Sequence, residues 1–212
     1  NGELAVLRGS LGQGEEYLRD CISTTEDEYV RLRAYTKLDD AYQLAGEEAE
    51  LYDQRILLLT EALDILPSQY QVTLLERLAQ VHIDYSDLSD RDYHCQSAIE
   101  QFERMEELGY ATFTSRLNVA VLYEKMEKYT EAHAQLDGML DTYPDNYVIY
   151  KRKAFVELDL QADKENSQRD YHSFETFYSQ AKALYEEYAG GEDMEMLSLD
   201  QLYGDVKNNG WL

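Results

Sequence analysis

The sequence predicts an all-α protein made of repeated helix pairs, and three observations carry that prediction. Its 212 residues include only 2 Pro, so long stretches run without a backbone breaker. Apolar residues recur at i, i+3, i+4 and i+7 through most of the chain, which is the period of one helix face. The third observation is a repeat. Ala98, Phe102 and Met105 recur 34 positions later as Ala132, Leu136 and Met139, and Ala120 recurs as Ala154.

The elements follow in order. Residues 1–27 carry Leu4, Leu7, Leu11, Leu18 and Ile22, a pattern for one or two N-terminal capping helices. Within them Gly9, Gly12 and Gly14 read as a helix break. No strand precedes them and no Gly-Lys-Ser/Thr follows, so they do not form a phosphate loop. Residues 28–189 then divide into four helix pairs at 28–66, 68–109, 113–144 and 147–189. Gly46, Pro67, Gly109 and Pro144 stand after apolar runs, where helices stop. Polar stretches at 86–92 and 161–168 lengthen the connections inside two pairs. Residues 190–212 form a capping region, amphipathic over 194–207 through Leu197, Leu199, Leu202, Tyr203 and Val206. Trp211 and Leu212 either pin that helix down or meet a partner.

Composition excludes several functions. Asp and Glu total 43 against 19 Lys and Arg, a formal charge of −24, while 44% of residues are hydrophobic. That apolar fraction supports a packed core rather than disorder. The acidity disfavours binding to nucleic-acid phosphates or to anionic lipid, both of which recruit Lys and Arg. Cys21 and Cys95 do not make a disulfide framework, and no apolar run is long enough to cross a bilayer. The first residue is Asn, so the chain reads as a piece of a longer protein. No metal or cofactor site is expected. The acidic stretches 87–92 and 163–170 lack the turn Gly and the bidentate Glu of a calcium loop. His82, His94, His133 and His172 stand in no zinc motif, so each is expected in a structural or surface role. The 19 Tyr suit core and rim positions, with the ring packed and the hydroxyl wet.

Residues 113–144 resemble one tetratricopeptide repeat. Val119, Ala120, Tyr123, Tyr129, Ala132, Leu136 and Pro144 fall at that family's spacings, although Arg116 replaces its usual early Trp. The next unit has Tyr150 in the Trp place and Ala154 in the small place. Earlier units keep Ala62, Pro67, Ala79, Ala98 and Phe102, so the likeness spans about residues 28–188. It implies a right-handed superhelix of stacked antiparallel pairs, because no single pair buries its apolar faces alone. It also implies that the first helix of each pair lines a concave groove and the second forms the outer wall. Charge divides along that line. The four first helices sum to +1 and the four second helices to −14.

Helix-position counting puts Arg77, Asn118 and Arg152 at the same place in three successive first helices, with Lys151 alongside. The expected partner-binding groove is therefore Arg77, Asn118, Lys151 and Arg152 with apolar Val121 and Phe155. Surface arginines paired with neighbouring acids would read the same way. A chaperone-tail clamp is not expected. Asn118 and Arg152 match two of its five places, while Glu76, Gln80 and Val148 depart from the rest.

The function expected is a non-catalytic scaffold that binds a protein or peptide segment, with no nucleic acid and no membrane as partner. The alternative is a regulatory sensor that binds a signalling peptide or small ligand and changes conformation. The style of the chain also resembles the C-terminal repeat regions of bacterial serine/threonine kinases. That likeness implies a recruiting role beside a catalytic domain; a cytoplasmic location is expected.

Overall fold

The structure is a computed structural model that describes residues 11–188 and 191–212. Ten α-helices lie among those residues, and no strand. The chain divides into two compact units, Asn1–Ala111 and Thr112–Leu212.

The first unit holds α1 (Leu11–Thr24), α2 (Glu28–Ala45), α3 (Ala49–Ile65), α4 (Gln71–Tyr85) and α5 (Arg91–Glu107). Each packs against the next in sequence. Asp27 caps α2 by accepting from the Tyr29 and Val30 amides, and Asp90 caps α5 through the Tyr93 amide. The stops are glycine and proline. Gly46 follows α2 and Gly109 follows α5 at φ 80°, a conformation glycine adopts without a Cβ clash. Pro67 ends the α3 segment and opens a 3₁₀ turn, Ser68–Tyr70. The core is Tyr35, Leu38, Tyr42, Leu58, Leu59, Leu74, Leu75 and Ile99, with Ala34, Ala41, Ala62, Ala79 and Ala98 where helices approach closely.

The glycine break expected near the N-terminus needs correction. α1 begins at Leu11 and runs through Gly12 and Gly14, with Gly14 buried. Leu18 anchors this helix and α1 packs on α2, so tertiary packing overrides the weak helix propensity of glycine. Gly9, Leu4 and Leu7 lie outside the described residues.

The second unit holds α6 (Phe113–Lys125), α7 (Tyr129–Thr142), α8 (Tyr147–Ala162), α9 (His172–Tyr188) and α10 (Met194–Asn208). A capping box of Thr112 and Ser115 opens α6, and Asn146 opens α8. α6 pairs with α7 and α8 with α9, while α10 packs on both α8 and α9. The residues of the 34-residue repeat are the buried ones. Ala98 and Ala132 are fully buried, as are Ala120 and Ala154, and Phe102, Leu136, Met105 and Met139 are buried beside them.

The face expected of the last helix needs a second correction. α10 buries Met196, Leu199 and Val206, and Leu197 is 46% exposed. The buried face of α10 therefore includes Met196, one position away from Leu197. Trp211 stacks on Tyr171 with centroids 5.5 Å apart and planes 12° apart, so it fastens the end of this unit.

Candidate partner-binding face

The expected groove residues fall in both units. Arg77 belongs to the first. Its Nη1 donates at 2.7 Å to Asp39 Oδ2 and at 2.7 Å to Asp40 Oδ1. Asp39 is fully buried and also accepts from Arg55 Nε at 2.7 Å. Burial works against the Arg77 charge, yet the bonds from Asp40 and Asp39 outweigh it and raise the pKa. Arg77 is therefore a structural member of a closed ion network, with its charge already met.

Asn118, Val121, Lys151, Arg152 and Phe155 belong to the second unit. Spacing places Asn118, Val121 and Glu124 along one stripe of α6, and Arg152, Phe155 and Asp159 along one stripe of α8. The two stripes are tied together, since Arg152 Nη1 reaches Glu124 Oε2 at 3.3 Å. The Arg152 guanidinium also stands 5.6 Å from the centroid of the Phe155 ring. Asn118 and Val121 are half-buried.

The first turn of α10 sits on the cations of α8. Lys151 Nζ lies 2.7 Å from Asp193 Oδ2 and 2.7 Å from Glu195 Oε2. Arg152 Nη2 lies 3.3 Å from Glu195 Oε1. Asp193 also accepts from the Tyr147 hydroxyl at 3.2 Å and caps α10 through the Glu195 and Met196 amides. Lys151 is only 5% exposed. Burial lowers its pKa, but hydrogen bonds to Asp193 and Glu195 more than compensate and raise it. Lys151 thus stays charged and occupied by the chain's own carboxylates.

Four residues of this face escaped sequence reasoning: Glu124, Asp159, Asp193 and Glu195. Burial lifts Glu124 to about 7 against the opposing pull of Arg152, and Asp159 adds to the rise. Burial raises Asp159 as well, against the pull of a hydrogen bond from Glu124, so both acids are harder to ionise than an ordinary carboxylate. The sequence signal for Glu124 and Asp159 was the presence of acids on otherwise neutral first helices, while Asp193 and Glu195 stand outside the helix pairs, at the start of α10.

The histidines divide between the units. His82 and His94 meet across α4 and α5, with Nδ1 atoms 3.0 Å apart. Burial, and then the neighbouring His94 charge, push His82 down to about 4. His94 rests on Tyr85 at a centroid distance of 4.3 Å. His133 Nε2 stands 3.0 Å from Glu157 Oε1, and His172 sits exposed against Asp170. Among the described residues, no group of three or more His, Cys, Asp or Glu is placed to hold a metal ion. No described helix is long and apolar enough to cross a membrane.

Paired helices, a 34-residue period and buried small residues at recurring positions together define a tetratricopeptide-like helical repeat protein. The chain is similar in structure to a double mutant of MamA, "MamA RS-1 ArsTM", with a TM-score of 0.58 and 12% identity, covering 90% of this chain and 93% of that one. It is also similar to a second MamA structure, with a TM-score of 0.53 and 14% identity over 84% of this chain and 97% of that one. A tetratricopeptide repeat protein from Parabacteroides merdae aligns at a TM-score of only 0.40 and 15% identity, over 99% of this chain and 84% of that one. No family model matches the chain, and no curated protein matches it. At these identities the likeness is one of fold.

Proposed function

We propose that the chain is a non-catalytic protein-interaction scaffold, and that the α6–α8 face of the second unit takes an acidic segment of a partner protein. One observation carries this reading. The chain's own Asp193 and Glu195 already lie on Lys151 and Arg152, so the face accepts two carboxylates spaced by one residue. Charge-assisted bonds of this kind fix orientation as well as affinity. Asn118, Val121 and Phe155 flank the cations with one amide and two apolar groups. Arg77 lies in the other unit, and its closed network gives it a structural part in the scaffold. In a larger bacterial protein, for instance beside a cytoplasmic kinase domain, such a face would recruit substrates or regulators.

The test uses the intact chain and capture of partners from the source cell. Arg152→Glu should weaken capture at least about tenfold, the loss of one charge-assisted contact, with helicity unchanged. Glu195→Ala should strengthen capture several-fold, because it removes a half-exposed internal competitor. Capture indifferent to both substitutions would remove this face from consideration.

A further inference from the structure

The second unit contains a cavity of about 410 Å³ where the α7–α8 turn meets the last residue of α9. Tyr143, Tyr147 and Tyr188 line it, together with Pro144, Asp145 and Val148. Its size falls within the range of small-molecule sites. Tyr143 and Tyr188 are 36% and 63% exposed, and apolar surface gathered in the open at one place marks an interaction site.

Two of the rings are braced by residues outside the cavity. Tyr143 meets Phe113 edge-on, with centroids 5.3 Å apart and planes at 86°. Tyr147 meets Tyr185 at 5.4 Å, and its hydroxyl donates to Asp193. The turn is fixed as well. The Tyr150 hydroxyl donates to the Pro144 carbonyl at 3.2 Å, and the Asn146 amide to the Tyr143 carbonyl at 3.3 Å. Asn146 Oδ1 accepts from the Val148 amide at 3.0 Å.

The charge around this space is negative. Aromatic faces carry negative potential, and Asp145 lines the same cavity. A hydrogen bond to Glu187 raises the Tyr188 pKa, and the Asp145 charge adds to the rise, so two carboxylates act at that ring. Lys151 lies 5.6 Å from the centroid of the Tyr147 ring, but Asp193 and Glu195 already neutralise it. A cation is therefore the ligand this cavity attracts.

The acceptor count decides which cation. A primary ammonium brings three N–H donors and needs an acceptor for each. The Tyr143 and Pro144 carbonyls and Asn146 Oδ1 already accept from the chain, which leaves Asp145 to meet all three. A quaternary ammonium brings no donor. It needs ring faces and a nearby negative charge, and its methyl groups suit Pro144 and Val148.

We propose that this cavity binds a quaternary ammonium group, its methyls against the Tyr143, Tyr147 and Tyr188 rings and its charge balanced by Asp145. The site needs neither Arg152 nor an acidic partner, so it stands or falls independently of the function proposed above. The experiment is an NMR titration of the full chain with choline chloride. Saturable shifts are expected at the Tyr143 and Tyr188 ring signals, with the choline methyl signal moved upfield by the rings. The neutral isostere of choline, in which tert-butyl replaces trimethylammonium, should bind at least about fivefold more weakly, the loss of the cation–ring attraction. Ethanolamine, with its three N–H donors, should bind more weakly by a similar factor. Tyr188→Ala and Asp145→Asn, both at exposed positions, should each lower choline affinity severalfold with helicity unchanged, and Tyr188→Phe should retain it. A trimethyl-lysine peptide separates the two sources of the group. Tighter binding of the peptide than of choline would support the site and assign its ligand to a modified protein. Absence of saturation with both, equal binding of the neutral isostere, or affinity indifferent to Tyr188→Ala overturns the proposal.

Discussion

The two units bury charge differently. The first unit closes its charges into pairs. Asp39 is held by Arg55 and Arg77, and Asp40 completes the set, while burial lowers the pKa of both His82 and His94. The second unit also closes pairs, as at Lys151, but sets two like charges together. Glu124 and Asp159 lie together with Arg152 as their shared counterion. A closed pair stabilises only while both partners remain. A crowded acid pair adjusts by holding a proton. The same repeat architecture therefore yields a first unit sensitive to loss of a partner and a second sensitive to loss of a proton as well.

The largest expected effect comes from breaking a pair. Asp39→Ala would strand Arg55 in the core, and removing one partner of a buried pair costs about 3–5 kcal/mol. Thermal melting of the whole chain should show it, with hydrogen exchange accelerated in α2 to α4. A change under about 1 kcal/mol would mean that the first unit does not depend on that closed network.

pH sharpens the contrast. His82 has a folded pKa of about 4 against an ordinary 6.5, so the unfolded chain binds more protons between those values. Its contribution is present in full above pH 6.5 and is lost as pH falls towards 4, by up to about 3 kcal/mol. Glu124 runs the other way. With a folded value of about 7 against 4.5, the folded state holds the extra proton, and stability declines as pH rises from 4.5 through 7. Residue-resolved hydrogen exchange on the intact chain should show α4 and α5 loosening on acidification while α6 and α8 tighten. The substitution Glu124→Gln should flatten the second trend, with an effect on the order of 1–2 kcal/mol at pH 8, and leave the first untouched. Parallel pH trends in both units would break the comparison.

The smallest effect expected is at Trp211. Trp211→Ala removes its stack on Tyr171 and should cost about 1 kcal/mol, confined to α9 and α10. A loss spread over α1 to α5 would show that the two units are energetically coupled.

The fold was legible because repetition and helix stops are local. Ala98, Ala120, Ala132 and Ala154 announced their buried places by spacing, and Gly46, Pro67 and Gly109 marked the ends. Burial on α10 was misjudged by one position. Met196 and Leu197 are adjacent apolar residues, and only the packing partners decide between them. The candidate face was half legible. Helical counting found Lys151 and Arg152 but not what covers them, since Asp193 lies 42 positions from Lys151. His82 and His94 stand 12 apart and meet only because α4 and α5 fold back on each other. Arg77 shared a register with Arg152, yet a buried acid on α2 claims it, and no counting along α4 reveals α2.

Asp193 holds the first turn of α10 and neutralises Lys151 with the same carboxylate group. A competitor that drew Lys151 away would leave Asp193 facing solvent beside the exposed amide end of its own helix. One that drew Asp193 away would uncap α10 and leave the Lys151 ammonium to Glu195 alone. Loss of Lys151 leaves the cap on Asp193 Oδ1 in place, whereas loss of Asp193 takes the cap and the ion pair together, so release by that second route should proceed in a single step. Its dependence on competitor concentration would then be that of a latch with two positions, open or shut, rather than a progressive loosening.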